Sequence, residues 1–144
     1  QYVNDISPAD VAAAPSITDK IAEIAAILQN THSLIAFNAA FHLSFLEKYG
    51  IKIRDDAEIL DPIDDGSIVY GDFDDFFRSF TYKNLRTIRI MCGVPCPPEG
   101  LMRSTATCLT VARIWQRLQQ PDMIELRDAN IAKYNYDPNY WPYF

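Results

Sequence analysis

Residues 99–118 read EGLMRSTATCLTVARIWQRL, and they form the longest helical pattern in the chain. Apolar side chains recur there at the spacing that places them on one side of an α-helix. They are Leu101, Met102, Cys108, Leu109, Ala112, Trp115 and Leu118. Three prolines and a glycine within residues 92–98 form a tight connector before this helix, and Pro121 suits the first turn of the next. We therefore predict one helix over residues 99–118 and a second from Pro121 to near Ala132.

Helical spacing extends over much of the rest of the chain. Four further stretches carry apolar residues three and four positions apart, and we predict a helix in each. They are residues 17–28, after a weak capping signal at Ser16; 31–49, where Gly50 suits the C′ position; 72–80, with four phenylalanines; and 84–92. A chain of 144 residues is about one domain. The predicted fold is mainly α, a single helical domain.

The middle of the chain follows a different pattern. Residues 51–54 alternate like a short strand, and residues 68–70 suit a second strand that pairs with the first. Between them, Pro62, Gly66 and several aspartates are typical of a loop. We predict an irregular acidic middle that contains a short β-hairpin.

Both ends of the chain differ from the helical part. We predict an extended N-terminal arm over residues 1–15, a helical domain over 16–133 and an aromatic C-terminal extension over 134–144. The extension ends in apolar side chains that we expect to contact a neighbouring subunit, namely Trp141, Tyr143 and Phe144. Because the chain starts at Gln1, we expect it to be processed or part of a longer protein.

Composition excludes several classes of protein. Apolar residues make up 49% of the chain, which is enough for a packed core and argues against general disorder. No apolar run approaches the roughly 18 residues that cross a bilayer, so we expect no membrane association. The three cysteines, Cys92, Cys96 and Cys108, do not make a closed disulfide framework. Free thiols, one bridge between Cys92 and Cys96, and a metal site all stay open.

Charge is distributed very unevenly along the chain. Residues 55–77 carry nine acidic side chains and no basic one, whereas residues 78–117 carry seven basic side chains and one acid, Glu99. The net charge of −6 therefore conceals a basic segment. Six of the seven cations are arginines, whose planar fork suits bidentate contact with phosphate.

The acidic residues allow three interpretations. Asp61, Asp65, Gly66 and Asp72 fall at positions 1, 5, 6 and 12 of an EF-hand loop, but position 3 is Ile63, which offers no side-chain ligand. A solvated acidic loop is one alternative, and a contact with a basic surface is another.

Catalysis has little support in the residues. Nucleophilic catalysis needs a base near a Ser or Cys, and the only two histidines are His32 and His42. We predict that the protein is not an enzyme and uses no cofactor or metal. A small enzyme with a metal in the aspartate cluster stays an alternative.

The arginines offer a binding surface for a polyanion. Arg86 and Arg89 lie three residues apart, Arg113 and Arg117 lie four apart, and Arg103 lies ten before Arg113, so each group favours one helix face. A salt-bridged face is one interpretation, and contact with phosphates is the other. For single-stranded RNA, Tyr82, Tyr134 and Tyr136 are available for stacking on bases.

The last third of the chain carries a further pattern. Arg103, Cys108, Ala112 and Ile114-Trp115 share one predicted helix, and Tyr134-Asn135-Tyr136-Asp137-Pro138 follows nineteen residues after the Trp. In this order the segment resembles the conserved core of coat proteins from flexuous filamentous plant viruses, the potexvirus type and its relatives. The resemblance implies an α core that polymerises around single-stranded RNA in the virion, assembling in the host cytoplasm. It assigns the backbone-contacting arginine to Arg103, with Arg86 as the competing match.

Two main hypotheses follow. In the first, the chain is a coat or nucleocapsid-like protein that self-associates and binds RNA through Arg86, Arg89, Arg103, Arg113 and Arg117. In the second, it is a helical structural or protein-interaction subunit in which acidic and basic segments of neighbouring copies pair without nucleic acid. Convergence of the arginines on one open groove favours the first hypothesis, and pairing with the acids of residues 55–75 favours the second.

Overall fold

The computed structural model describes residues 6–138, which contain seven α-helices and two small two-stranded sheets. In chain order the elements are α1 (Pro8–Ala13), a 3-10 turn (Ile17–Asp19), α2 (Ile21–Gln29), β1 (Ser33–Ile35), α3 (Ala39–Glu47), β2 (Glu58–Leu60), α4 (Pro62–Tyr70), β3 (Phe73–Asp74), β4 (Ser79–Phe80), α5 (Leu85–Met91), α6 (Arg103–Leu118) and α7 (Pro121–Tyr134). The mainly α class is confirmed. In the described part of the chain, no helix is both long and apolar enough to span a membrane.

The chain forms two compact units. Of residues 6–138, the first comprises those up to His32 together with Phe41–Ala57, and the second comprises Ser33–Ala40 and those from Glu58 onward. In the first unit Leu28 and Ile51 are buried, and the Gln29 side chain donates a hydrogen bond to the Lys52 carbonyl at 2.8 Å. The expected helix end at Gly50 is present, since its φ of +69° is the left-handed conformation of a C′ glycine.

The core of the second unit lies between α4, α5 and α6. Its centre is formed by Ile88 of α5 and Ile114 of α6, both 0% exposed. Around them pack the other core residues, Val69, Cys92, Val94 and Leu118. α7 closes one side, where the Asn130 side chain donates to the Ile68 carbonyl of α4 at 2.8 Å.

Four predicted helices are confirmed, with small changes at their ends. They correspond to α2, α5, α6 and α7. α6 begins only at Arg103, and it buries Thr110, Val111, Ile114 and Leu118. The expected apolar series is therefore only partly buried, because Leu101, Met102 and Cys108 are exposed.

The prediction of a loop and strand over residues 61–70 is wrong, since this stretch forms α4. Asp61 provides the N-cap by accepting a hydrogen bond from the Ile63 amide at 3.0 Å, and Pro62 occupies the first turn. Asp64 and Asp65 lie in the same turn. The EF-hand interpretation fails with it, because its proposed loop is mostly helical.

Strand pairing also differs from the prediction. Residues 51–54 form no strand; instead β2 pairs in parallel with β1, in the register Ser33↔Glu58 to Ile35↔Leu60. The helix expected over residues 31–49 is thereby shortened to α3. Pairing between residues this far apart in sequence leaves no local signal, whereas the apolar spacing at Leu34 and Phe37 imitates a helix.

The helix predicted over residues 72–80 is wrong, because this stretch is an antiparallel β-hairpin. Phe73 of β3 pairs with Phe80 of β4, and their rings meet edge to face at 5.0 Å between centroids. Tyr134 at the end of α7 stacks on Phe73 at 4.4 Å. Aromatic packing against α7 therefore stabilises the hairpin, and this contact depends on residues about sixty positions away.

The two terminal predictions have different outcomes. Residues 8–13, expected to be extended, form α1, because Ser7 and Asp10 make a reciprocal capping box. Trp141, Tyr143 and Phe144 lie outside the described residues, so their role as subunit contacts stays a prediction.

The first prediction concerns Asp61. Its carboxylate accepts hydrogen bonds from the amides of Asn38 and Ala39, at 3.0 and 2.6 Å, as well as from Ile63. Since one N-cap contributes about 1 kcal/mol, Asp61→Ala should lower the free energy of unfolding by about 2 kcal/mol. Urea unfolding followed by circular dichroism measures this change. The control is Asp55→Ala, which removes an exposed carboxylate; equal losses in the two variants would contradict the capping role.

The second prediction concerns Gly66 in α4. A Cβ atom here would lie 2.7 Å from Cδ1 and 3.1 Å from Cγ2 of Ile88, which is fully buried. Gly66→Ala should therefore destabilise the protein by about 1–3 kcal/mol, although alanine usually stabilises a helix. In Gly66→Ala/Ile88→Val the Cδ1 atom is absent, so the combined loss should be smaller than the sum of the single losses. A gain in stability for Gly66→Ala alone would refute this packing argument.

Candidate nucleic-acid interface

An open groove of about 240 Å³ lies between α5 and α6 in the second unit. Three arginines line it, Arg86 and Arg89 from α5 and Arg103 from α6. The rest of its lining is neutral: Leu85, Pro97, Ala106, Thr107 and Thr110. The groove therefore combines a largely apolar floor with a cationic rim, and we refer to it as the arginine groove.

Helix geometry explains why these side chains meet. The Asn84 side chain accepts a hydrogen bond from the Thr87 amide at 2.9 Å, and this cap fixes the start of α5. Arg86 and Arg89 then lie one turn apart on one face, while Ile88 points into the core. On α6, Arg103 and Thr110 lie seven residues apart, which is nearly two full turns, so they share one wall of the groove.

The three groove arginines have different surroundings. Arg89 is half-buried and donates a hydrogen bond to the Val94 carbonyl at 3.0 Å, which fixes the connector after α5. Arg86 is exposed, and within residues 6–138 no carboxylate lies at ion-pair distance from it. Arg103 is exposed at the first residue of α6, whose N-cap, Met102, provides no side-chain hydrogen bond. The positive end of the helix dipole thus lies beside its guanidinium.

The other two predicted arginines do not line the groove. Arg117 forms a bidentate pair with Asp122 of α7, at 2.8 and 2.6 Å. Arg113 lies ten residues after Arg103, and at 100° per residue this leaves the two about 80° apart around the helix. The structure thus brings together three of the five arginines predicted for RNA.

The acidic segment contacts other cations. Asp65 pairs with Arg127 of α7 at 3.4 Å, and Asp72 pairs with Lys83 at 3.1 Å. Asp61 is used for helix capping. These intrachain contacts account for part of the acidic segment without neutralising Arg86.

The tyrosines considered for base stacking are mostly used in packing. Tyr134 stacks on Phe73, and Tyr136 meets Phe80 edge to face at 5.1 Å. Tyr82 is exposed, and partial burial of its hydroxyl, with the nearby Asp64 carboxylate, raises the pKa of Tyr82 to about 12. A neutral Tyr82 is therefore expected at all physiological pH values.

All three cysteines are free thiols. Cys92 belongs to the core, and its burial raises the pKa of its thiol, whereas Cys96 and Cys108 are exposed. Within residues 6–138, no group of three or more His, Cys, Asp or Glu side chains is arranged to hold a metal ion.

Comparisons with known proteins identify no relative. No family model, curated protein or solved structure matches the chain significantly. The resemblance to the coat proteins of flexuous viruses therefore stays a prediction.

The acidic cluster gives a third prediction, on pH dependence. Partial burial raises the pKa of the Asp64 carboxyl group from 3.8 to about 6, because packed atoms on one side exclude water. The negative charges of Asp61 and Asp65 raise it further. The outer face of Asp64 still contacts solvent. Because the folded state holds this proton more tightly than the unfolded state, protonated Asp64 favours folding. This contribution to stability is complete below pH 3.8 and is lost as the pH rises through about 6.

Asp64→Asn should therefore stabilise the protein at pH 7 and flatten the stability profile between pH 4 and 6. Urea unfolding at a series of pH values measures both effects. Asp55→Asn, a change in an exposed carboxylate outside the cluster, is the matched control. A variant less stable than wild type at pH 7, with its pH profile unchanged, would show that the cluster does not disfavour the Asp64 charge.

Proposed function

We propose that this protein binds the phosphate backbone of single-stranded RNA in the arginine groove and self-associates, as a coat or nucleocapsid-like protein of a virion. The observation that carries this proposal is the convergence of Arg86, Arg89 and Arg103, from two helices, on one open groove. Guanidinium groups suit phosphate because each offers several donors in a fixed plane.

Electrostatics support a localised phosphate site. The protein carries a net charge of −6, so general coating by a polyanion is disfavoured and binding is confined to the groove. None of the residues that line the groove is acidic. The start of α6 adds backbone amides and a positive dipole end next to Arg103.

The chemistry of the groove favours binding that is independent of sequence. Thr107 and Thr110 donate their hydroxyl hydrogens to carbonyls of α6, at 3.0 and 2.8 Å, which leaves guanidinium groups as the main polar contacts. Contacts of this kind fix the position of the backbone and do not identify bases.

Exposed apolar side chains support self-association. Phe41 and Phe45 form an exposed pair on α3, and Phe76 and Phe77 form another at the end of the β-hairpin. Exposed aromatic patches of this kind are typical of protein–protein contact sites. The same patches also favour the second candidate function, a structural or interaction subunit without nucleic acid.

The fourth prediction separates these two functions. Arg86→Gln should weaken binding to a fluorescent poly-U oligonucleotide, measured by anisotropy, and reduce the slope of log affinity against log salt by about 0.7. Poly-A and poly-C oligonucleotides should lose affinity by the same factor. The control is Arg113→Gln, on α6 but outside the groove. If Arg113→Gln weakens binding as much as Arg86→Gln, or neither changes the slope, the groove does not bind RNA.

A further inference from the structure

The tip of the β-hairpin, residues 74–78, presents an aromatic side chain directly to solvent. Phe76 is 87% exposed, more than any other large apolar side chain within residues 6–138. Phe77 meets it edge to face at 4.9 Å. Exposure of a phenylalanine to this degree gains nothing for the isolated fold, since its burial would be worth about 1.5–3 kcal/mol.

The hairpin tip is held in one conformation by its own contacts. One carboxylate oxygen of Asp74 accepts hydrogen bonds from the amides of Phe76 and Phe77, at 2.9 and 3.0 Å. Arg78 donates to the Tyr134 carbonyl at 2.8 Å, and its guanidinium lies 5.1 Å from the centre of the Phe73 ring. A tip that is already ordered loses little conformational entropy when it binds.

Negative charge flanks the aromatic tip. The side chain of Asp75 is 91% exposed and lies 3.7 Å from Arg78, which also contacts Tyr134 and Phe73. The Asp72 side chain, near the base of the hairpin, is equally exposed and pairs with Lys83 at 3.1 Å, so Asp75 is the carboxylate closest to the aromatic ring in sequence that the tip offers to a partner. The tip thus presents an apolar ring next to carboxylates.

The arginine groove has the complementary chemistry. Its floor of Leu85, Pro97 and Ala106 is apolar, and its rim carries three guanidinium groups. Its volume of about 240 Å³ lies below the usual range for drug-sized ligands, so it suits a single inserted side chain. The Phe76 ring suits packing on the apolar floor, and the Asp75 carboxylate suits pairing with the guanidinium groups of the rim.

We propose that the hairpin tip of one copy inserts Phe76 into the arginine groove of a second copy, with Asp75 facing Arg86. Because tip and groove are different surfaces, the contact is heterologous and joins copies head to tail, as a ring or an open chain. The proposal does not require RNA binding. If RNA also uses the groove, the two occupants exclude each other.

The test uses charge exchange and sedimentation velocity of the full chain at increasing protein concentration. Asp75→Arg places a cation opposite Arg86, and Arg86→Asp places an acid opposite Asp75, so each variant alone should associate at least about tenfold more weakly than wild type. In an equimolar mixture every contact joins opposite charges, and association should return. Phe76→Ser should weaken association similarly, whereas Ile27→Ser, which changes an exposed apolar side chain on α2 of the first unit, should not.

Three results would overturn the contact: a monomeric wild type at the highest concentration, single variants that associate like wild type, or a mixture that stays monomeric. Circular dichroism and thermal unfolding check that each exposed substitution leaves the fold intact.

RNA binding by the same variants separates this contact from the proposed function. If Phe76→Ser binds poly-U at least as tightly as wild type, and the charge-exchanged mixture associates, then RNA and the hairpin tip compete for the arginine groove. A mixture that associates while no variant binds RNA leaves the contact standing and removes the RNA proposal. If RNA binding depends on Arg86 but the mixture stays monomeric, the RNA proposal stands and the contact between copies is refuted.

Discussion

The carboxylate of Asp61 connects the parts of the second unit that are far apart in sequence. It accepts hydrogen bonds from Asn38 and Ala39, where α3 begins, and from Ile63, where α4 begins. Backbone amides in a first helical turn have no partner within the helix, so one side chain satisfies donors of two helices. The adjacent β1–β2 pairing ends at Leu60, and Asp61 therefore fixes the direction in which α4 leaves the strand.

The arginine groove depends on the position of α4. Gly66 allows α4 to approach Ile88 so closely that a Cβ would overlap the Ile88 side chain, and Ile88 in turn packs with Ile114 of α6. With Ile88 directed inward, Arg86 and Arg89 of α5 are directed toward α6. The cationic surface is therefore a consequence of core packing.

Local signals explain which elements were predictable. Apolar spacing within residues 84–92 predicts α5, and Pro121 is a start signal in the first turn of α7. α4 has local start signals in Asp61 and Pro62, but the aspartates, Pro62 and Gly66 are equally typical of a loop, which is the interpretation that the sequence favours. The β-hairpin has no such signal, because Phe73 packs on Tyr134, about sixty positions away. Four phenylalanines at residues 73, 76, 77 and 80 suit a helix as well as a hairpin, and the hairpin packs its Phe73 and Phe80 rings against the distant Tyr134 and Tyr136.

The candidate site shows the same division. Arg86 and Arg89 share one face of α5 because they are three residues apart, and the sequence predicts this. Arg117 instead pairs with Asp122, five residues further on, across the turn between α6 and α7, and the spacing of the arginines on α6 does not specify this contact. The hairpin tip was missed entirely, because its exposure follows from the hairpin and not from a helix.

The guanidinium of Arg86 can bind a phosphate and the Asp75 carboxylate in the same way, since both anions offer two oxygens in the geometry that it recognises. What distinguishes the two proposed occupants of the groove is Phe76, whose burial is apolar and is not screened by salt. A nucleic-acid backbone would bring several charges and release counterions from each, so rising salt weakens it steeply. The hairpin tip would bring one or two charges and one ring. Ionic strength would therefore shift occupancy of the groove from RNA toward a second copy of the chain.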